Sequence, residues 1–151
     1  MKLIARKMEA AGKVDRLRVV RDDGSETGCE MPRQGVLPQD LVHAVVESRL
    51  QLQEGFLGLV GKGADIAFAE NNFRDYIDPE RHFEVAQSES VVEGLQTQLW
   101  QGEFDFNAFL AGVTGACAMR AVAVPAISEA DGQALLDAAV RWKGQWRVVA
   151  V

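Results

Sequence analysis

The amino-acid sequence predicts an α+β fold. One domain over residues 1–151 is expected, in which an N-terminal antiparallel β-meander is joined by a C-terminal strand and packs against three or four helices. Hydropathy alternates along residues 1–33 between turn residues, which indicates strands. Apolar residues then recur at helical spacing over residues 37–144. Residues 145–151 are again β-branched, and such a strand must rejoin a sheet to satisfy its backbone groups.

The N-terminal meander is predicted to contain three strands. The segments KLIARKM and DRLRVVR both alternate, the second with arginines on its solvent-facing side. Residues 22–25 read Asp-Asp-Gly-Ser, and Asp-Gly tolerates the positive φ that a tight hairpin requires. The third strand, residues 27–31, should therefore return beside the second and end at Pro32.

The helical part is predicted to begin at Pro38, because a missing N–H is harmless in the first turn of a helix. Most of the circumference of this first helix is apolar, so we expect it to be largely buried. A short apolar helix follows at residues 56–60 and stops at the Gly61–Gly63 pair. Residues 64–77 have no sustained period and are predicted to form an ordered loop.

Further helices are predicted after this loop, each with a recognisable start and end. Their starts carry capping residues: Asp78 before Pro79, then Asp105, then Ser128 with Asp131 three residues later. Their ends are marked by Gly102, Pro125 and Gly144.

The composition limits the expected partners and location. A net charge of −6 argues against nucleic acid or an anionic membrane as a partner. The N-terminus lacks the apolar core of a signal peptide, and the longest apolar run, residues 106–127, is too interrupted to span a membrane. Two cysteines without CxxC spacing suit a reducing compartment. We therefore expect a soluble cytoplasmic protein with no nucleic-acid partner, no membrane partner and no cofactor.

Four segments of the chain resemble an uncharacterised group of bacterial proteins. These segments are LPQDLVHAVVES, GFLGLVGKGAD, SESVVEGLQTQLW and RWKGQW. Members of the group read LPxDLVHxVVE followed by a Gly-rich apolar segment, and the resemblance covers scattered blocks amounting to about half of the chain. The blocks look structural, so the resemblance implies a whole bacterial domain. It implies no activity, cofactor or catalytic residue, because none is known for the group.

The most informative polar residues lie on the first predicted helix. Asp40, His43 and Glu47 are spaced i, i+3 and i+7, which places them on one narrow stripe between apolar flanks. One interpretation is a stripe that faces solvent, in which acidic neighbours pair with the histidine and raise its pKa. The other is a proton-transfer site, or a metal site completed by His82 or Asp78. A specific metal motif such as HExxH is absent.

A second candidate cluster lies where the loop meets the next helix. It consists of Asp78, Arg81 and His82. A helix N-terminus beside an arginine and a histidine can bind an anion. Acidic neighbours oppose such binding and favour an ordinary capped helix start.

A third set of residues, Arg6, Arg16 and Arg18, is predicted to share one face of the sheet. Nucleic-acid surfaces usually interleave aromatic residues with basic ones, and residues 1–33 contain no Phe, Tyr or Trp. We therefore expect a solvated sheet face here.

The absence of a catalytic motif favours an interaction or accessory protein without catalytic activity. Self-association is expected, because several helices are strongly apolar and Trp100 and Trp146 are candidates for exposed aromatic residues. The alternative is a small-molecule- or metal-dependent enzyme. Its site would lie between the helix that starts at Pro38 and the segment Tyr76–His82, and it would require His43 and His82 to converge. The sequence identifies no ligand.

Overall fold

The computed structural model describes residues 1–9, 11–68, 75–144 and 148–150. Within these ranges the strands are β1 (Lys2–Arg6), β2 (Val14–Val20), β3 (Glu26–Pro32) and β4 (Val148–Ala150). They form one sheet in the order β3-β2-β1-β4, and every neighbouring pair is antiparallel. The predicted meander and the return of the C-terminal strand to its edge are both confirmed.

The described residues also contain five α-helices and a 3-10 turn at Ile66–Phe68. The helices are α1 (Gln39–Leu50), α2 (Phe56–Lys62), α3 (Phe83–Gln101), α4 (Phe106–Met119) and α5 (Glu129–Gly144). The α+β class is confirmed. The five helices exceed the predicted three or four by at least one, and they include the short helix predicted at residues 56–60. None of the helices in the described ranges is long and apolar enough to cross a membrane.

The sheet buries one face against the helices. Leu3, Leu17, Val19 and Met31 project from three strands to this side and are at most 2 % exposed. The alternating residues of the same strands face away from the helices, as the two-residue period of a strand requires. Buried apolar side chains of the sheet and of all five helices form one core cluster.

The caps confirm several predicted boundaries. Asp105 accepts a hydrogen bond from the Ala108 N–H at 3.0 Å. Ser128 and Asp131 exchange reciprocal hydrogen bonds of 3.0 Å, as a capping box should. Gly102, with φ of 78°, ends α3 in the left-handed conformation that favours glycine.

The predicted start of α3 at Pro79 is wrong. Asp78 begins a turn instead: its side chain accepts a hydrogen bond from the Glu80 N–H at 2.9 Å, and its carbonyl accepts one from the Arg81 N–H at 3.0 Å. These local bonds replace the first helical turn, so α3 begins at Phe83.

Candidate functional site

A cleft of about 760 Å³ opens between α1, α3 and the segment that precedes α3. We call it the helix cleft. Its polar lining residues are Gln39, Asp40, His43, His82, Glu89 and Arg120. Its apolar lining residues are Phe56, Ile77, Val85 and Ala86. Both histidines of the chain therefore line one cleft, between the first helix and the segment Tyr76–His82.

The polar stripe of α1 lies mostly in the protein interior. His43 is 2 % exposed and Glu47 is 6 % exposed. Residues 41–47 are all buried, because α2, α3 and α5 contact α1 from different sides. A stripe that faces solvent is thus the wrong interpretation for these two residues. Asp40, one turn earlier, stays partly exposed and lines the helix cleft.

The His43 ring is held by carboxylates at both nitrogens. Its Nδ1 lies 3.1 Å from Oε2 of Glu47, and its Nε2 lies 3.1 Å from Oε2 of Glu89. The ring also packs on Phe56, with 4.8 Å between the ring centroids. An imidazole that faces two carboxylates donates from both nitrogens, which is the hydrogen-bonding pattern of the protonated ring.

Glu47 connects this histidine to the start of α2. Its Oε1 accepts hydrogen bonds from the backbone N–H groups of Leu57 at 2.9 Å and Gly58 at 3.2 Å. Gly55, the N-cap residue of α2, has no side chain to do this, so the glutamate caps the helix from a distance. A Cβ at Gly55 would lie 2.5 Å from the Glu47 carboxyl carbon, which explains why the position is a glycine.

Ser88 completes the buried network from α3. Its hydroxyl donates to Oε2 of Glu47 at 2.8 Å and lies 3.0 Å from Nδ1 of His43. The serine is fully buried. A hydroxyl that donates to a carboxylate and has no access to solvent is oriented as a structural partner and not as a nucleophile.

The surroundings of His43 favour its charged form. Burial, the largest single influence, lowers the pKa, but hydrogen bonds from the ring to Glu47 and Glu89 together outweigh it and raise the pKa to about 9. The predicted rise is confirmed in direction. Its partners differ from those expected, because Glu89 of α3 contacts the ring and Asp40 makes no hydrogen bond to it.

The two carboxylates that line the helix cleft have opposite pKa shifts. The hydrogen bond from His43 holds the pKa of Glu89 below its ordinary value. Burial raises the pKa of Asp40, and the positive His43 only partly opposes this. Asp40 has no ion-pair partner among the described residues, and its side chain accepts a hydrogen bond from the Cys29 thiol at 3.9 Å. The cleft wall thus carries a firmly ionised carboxylate beside one that has no ion-pair partner in the described structure.

Cys29 is an unreactive thiol in this setting. Burial and the nearby Asp40 carboxylate raise its pKa to about 12. Because the thiolate is the nucleophilic form, this thiol is a poor nucleophile near neutral pH.

The structure separates the members of the second predicted cluster. His82 lines the helix cleft, and its Nδ1 donates to the Pro79 carbonyl at 2.8 Å. Arg81 instead bonds to Gln53 and to Glu84, each at 2.9 Å, outside the cleft lining. Asp78 accepts hydrogen bonds within the turn that precedes α3. Only His82 of this cluster therefore joins Asp40 and His43 at the cleft.

Three important residues of the site escaped the sequence analysis: Ser88, Glu89 and Arg120. The sequence does indicate a role for Ser88, because this residue lies on the apolar stripe of its helix, where a hydroxyl requires a buried hydrogen-bond partner. Glu89 and Arg120 look like ordinary surface charges in the sequence. Their position in the cleft depends on how α3 packs against α1 and how α4 packs against α3.

Among the described residues, no group of three or more His, Cys, Asp or Glu side chains is arranged to hold a metal ion. Comparisons with protein-family models, with curated proteins and with solved structures give no match for this chain.

Proposed function

We propose that this protein is a small accessory protein without catalytic activity that binds a small organic cation in the helix cleft. The observation that carries the proposal is the pair of carboxylates on the cleft wall. Glu89 is kept ionised by the buried imidazolium of His43, and Asp40 has no ion-pair partner in the described structure. An ammonium group in the cleft would supply the missing positive charge.

The buried network supports a binding role because stability alone does not require a set of buried charges. Burying the charges of His43 and Glu47 carries a desolvation penalty, and well-packed apolar residues would often serve stability equally well. What the network provides in addition is a fixed position and a fixed charge for Glu89, which is 38 % exposed at its side chain. A preorganised carboxylate is what a ligand site requires.

Three groups that could otherwise carry out catalysis are engaged elsewhere. Both nitrogens of His43 face carboxylates, the Ser88 hydroxyl donates to Glu47, and the Cys29 thiol has a pKa raised to about 12. A general base must accept a proton and a nucleophile must be exposed. These contacts favour binding without chemistry.

The other lining residues restrict the ligand further. Phe56, Ile77, Val85 and Ala86 offer apolar contact, so the ligand should have an apolar part. Arg120 lines the same cleft and would repel a second positive group. A monoamine or a zwitterion with one ammonium group therefore fits better than a polyamine.

A thermal-shift panel tests this proposal. Monoamines, amino acids, polyamines and carboxylic acids are each titrated at constant ionic strength, and saturable stabilisation is expected only from compounds with a single ammonium group. Glu89→Gln and Asp40→Asn should each weaken that response by about tenfold or more. Glu129→Gln removes an exposed carboxylate of α5 that lies outside the cleft lining, and it should leave the response unchanged. No saturable response from any class, or a response indifferent to both cleft substitutions, would overturn the proposal.

Self-association is a second candidate function, and α4 is the helix that favours it. No residue of α4 is charged, and Met119 at its end is 90 % exposed. Exposed Ala108, Ala111 and Ala118 allow close approach of another helix. Two copies, each with a net charge of −6, would repel each other least across such a face.

Light scattering at micromolar concentration tests self-association. We expect a dimer, and Ala111→Glu should convert it to a monomer by placing two carboxylates in the contact. Val140→Glu, which changes a 59 % exposed residue of α5, is the matched control and should leave the dimer intact. A monomeric wild-type protein would exclude this second candidate.

A further inference from the structure

The outer face of the sheet carries a second cleft, whose lining shares no residue with the helix cleft. Its volume is about 660 Å³, and its lining includes Ile4, Arg6, Arg16, Arg18, Gly28 and Glu30. We call it the sheet cleft. In a chain with a net charge of −6, three arginines against one glutamate make this cleft locally positive.

The strand register forces two of these arginines together. Arg6 of β1 and Arg16 of β2 are directly opposite each other, and both are exposed. Like charges at directly opposite positions destabilise a sheet. Neither arginine has an ion-pair partner among the described residues, although Glu30 is opposite Arg16 on the other side.

Arg18 extends the positive surface along β2. Its Nε lies 3.4 Å from Glu26, in an exposed pair that leaves the arginine 57 % exposed. Its direct neighbours on the adjacent strands are Ile4 and Gly28. The isoleucine gives an apolar surface, and the glycine leaves room beside the guanidinium.

We propose that the sheet cleft is a binding site for a small organic phosphate. The planar guanidinium donates two parallel N–H groups to a phosphate, so adjacent arginines can share one dianionic group. Such a group would also relieve the repulsion between Arg6 and Arg16. The apolar part of the ligand would rest on Ile4, and the cleft volume is typical of a small-molecule site.

Titration by NMR with phenyl phosphate and inorganic pyrophosphate, at constant ionic strength, tests this proposal. We expect saturable shifts of the Ile4 and Gly28 amide signals with phenyl phosphate, and weaker binding of pyrophosphate, which lacks the apolar part. Arg16→Gln should weaken phenyl phosphate binding by about tenfold or more, and Arg6→Gln should do the same. Arg49→Gln removes an exposed arginine of α1 with the same change in net charge and should leave the affinity unchanged.

The same variants separate a site from general electrostatic attraction. Arg16→Gln should unfold at the same temperature as the wild type or at a higher one at low salt, because it removes the like-charge contact; a lost phosphate response is then not an unfolding effect. Shifts that do not saturate, or equal weakening by Arg49→Gln, would overturn the proposal. So would Arg16-dependent binding of a short single-stranded oligonucleotide without any binding of phenyl phosphate.

Discussion

Two buried carboxylates, Asp15 in the sheet and Glu47 in α1, are each paired with a cation, yet they differ in what surrounds the pair. Asp15 is 1 % exposed and accepts hydrogen bonds from Arg33 at 2.8 and 3.1 Å and from the Met8 N–H at 2.9 Å. The Arg33 side chain also donates to backbone carbonyls of the turn between β1 and β2, including that of Gly12 at 2.7 Å. This pair fastens one end of the sheet.

The pair of Glu47 and His43 is also a buried carboxylate with a cation, but its hydrogen bonds continue to the surface. Glu47 caps α2 and faces His43, and the second nitrogen of His43 faces Glu89 at the helix cleft. Both pairs reach a cleft, since the Arg33 side chain is 30 % exposed and lines another one. They differ in the charge presented there: Arg33 presents a guanidinium that also binds backbone carbonyls, whereas the His43 pair presents the Glu89 carboxylate.

Removing the Glu47 charge should have the largest effect on stability. Glu47→Gln leaves the His43 imidazolium buried with one carboxylate and weakens the cap on α2. We expect a loss of about 3–5 kcal/mol in the free energy of unfolding, as is usual when one partner of a buried ion pair is removed. Urea unfolding at neutral pH measures it.

Glu93→Gln is the control for this prediction, since Glu93 pairs with Arg120 at the surface and is 59 % exposed. The free energy of unfolding of Glu93→Gln should fall by no more than about 0.5 kcal/mol. A similarly small loss in Glu47→Gln would mean that the buried cluster is not an ionic one.

The change in stability with pH that His43 causes should be nearly as large as the loss in Glu47→Gln. The pair of His43 and Glu47 should lose its contribution as the pH rises, whereas the pair of Asp15 and Arg33 should lose its contribution as the pH falls. The pKa of His43 is raised from 6.5 to about 9 in the folded protein, so its stabilising contribution is complete below pH 6.5 and is lost as the pH rises through 9. The size of this loss is on the order of 3 kcal/mol. Unfolding curves at intervals between these pH values test it.

His43→Gln should remove this alkaline loss while retaining the changes that other groups contribute above pH 9. Equal slopes for the variant and the wild type over the same range would contradict an ionised His43. The sequence alone suggests only a small effect for this residue, because it gives no sign that the pair is buried.

How much the sequence could predict differs between these regions. The strands, the hairpin at residues 22–25 and most helix caps depend on local spacing, so the sheet and the order of elements were predictable. The stripe of Asp40, His43 and Glu47 was also visible, since it depends only on helical periodicity. Its burial was not, because residues 41–47 become enclosed only when three other helices pack around α1.

The hydrogen-bond partners of His43 could not be predicted from the sequence either, apart from Glu47. Ser88 and Glu89 are 45 and 46 positions away in the chain, and only the crossing of α3 over α1 brings them to the ring. The start of α3 was misplaced because Asp78 and Pro79 fit a helix cap and a turn equally well. Tertiary contacts decide such cases.

Asp15→Asn should have a smaller effect, opposite in its pH dependence. Hydrogen bonds from Arg33 hold the pKa of Asp15 below its ordinary 3.8, so this pair stabilises the protein above that pH and the contribution is lost as the pH falls through the lowered folded value. At neutral pH the substitution should cost about 2 kcal/mol. Acid unfolding of both proteins checks this, and an acid limb unchanged in the variant would contradict it.

The smallest expected effects come from a glycine beside each pair. A Cβ at Gly55 would lie 2.5 Å from Glu47, whereas one at Gly12 would lie 3.1 Å from the Glu9 carbonyl in an exposed turn. Gly55→Ala should therefore displace the Glu47 carboxylate and cost about 1–2 kcal/mol, while Gly12→Ala should change stability by less than about 1 kcal/mol. The NMR titration of His43 in each variant distinguishes the two, because only Gly55→Ala should lower its pKa. If the pKa of His43 is unchanged in Gly55→Ala, the Glu47 carboxylate keeps its contact with the ring. The added methyl group then displaces the carboxylate from the cap on α2 instead.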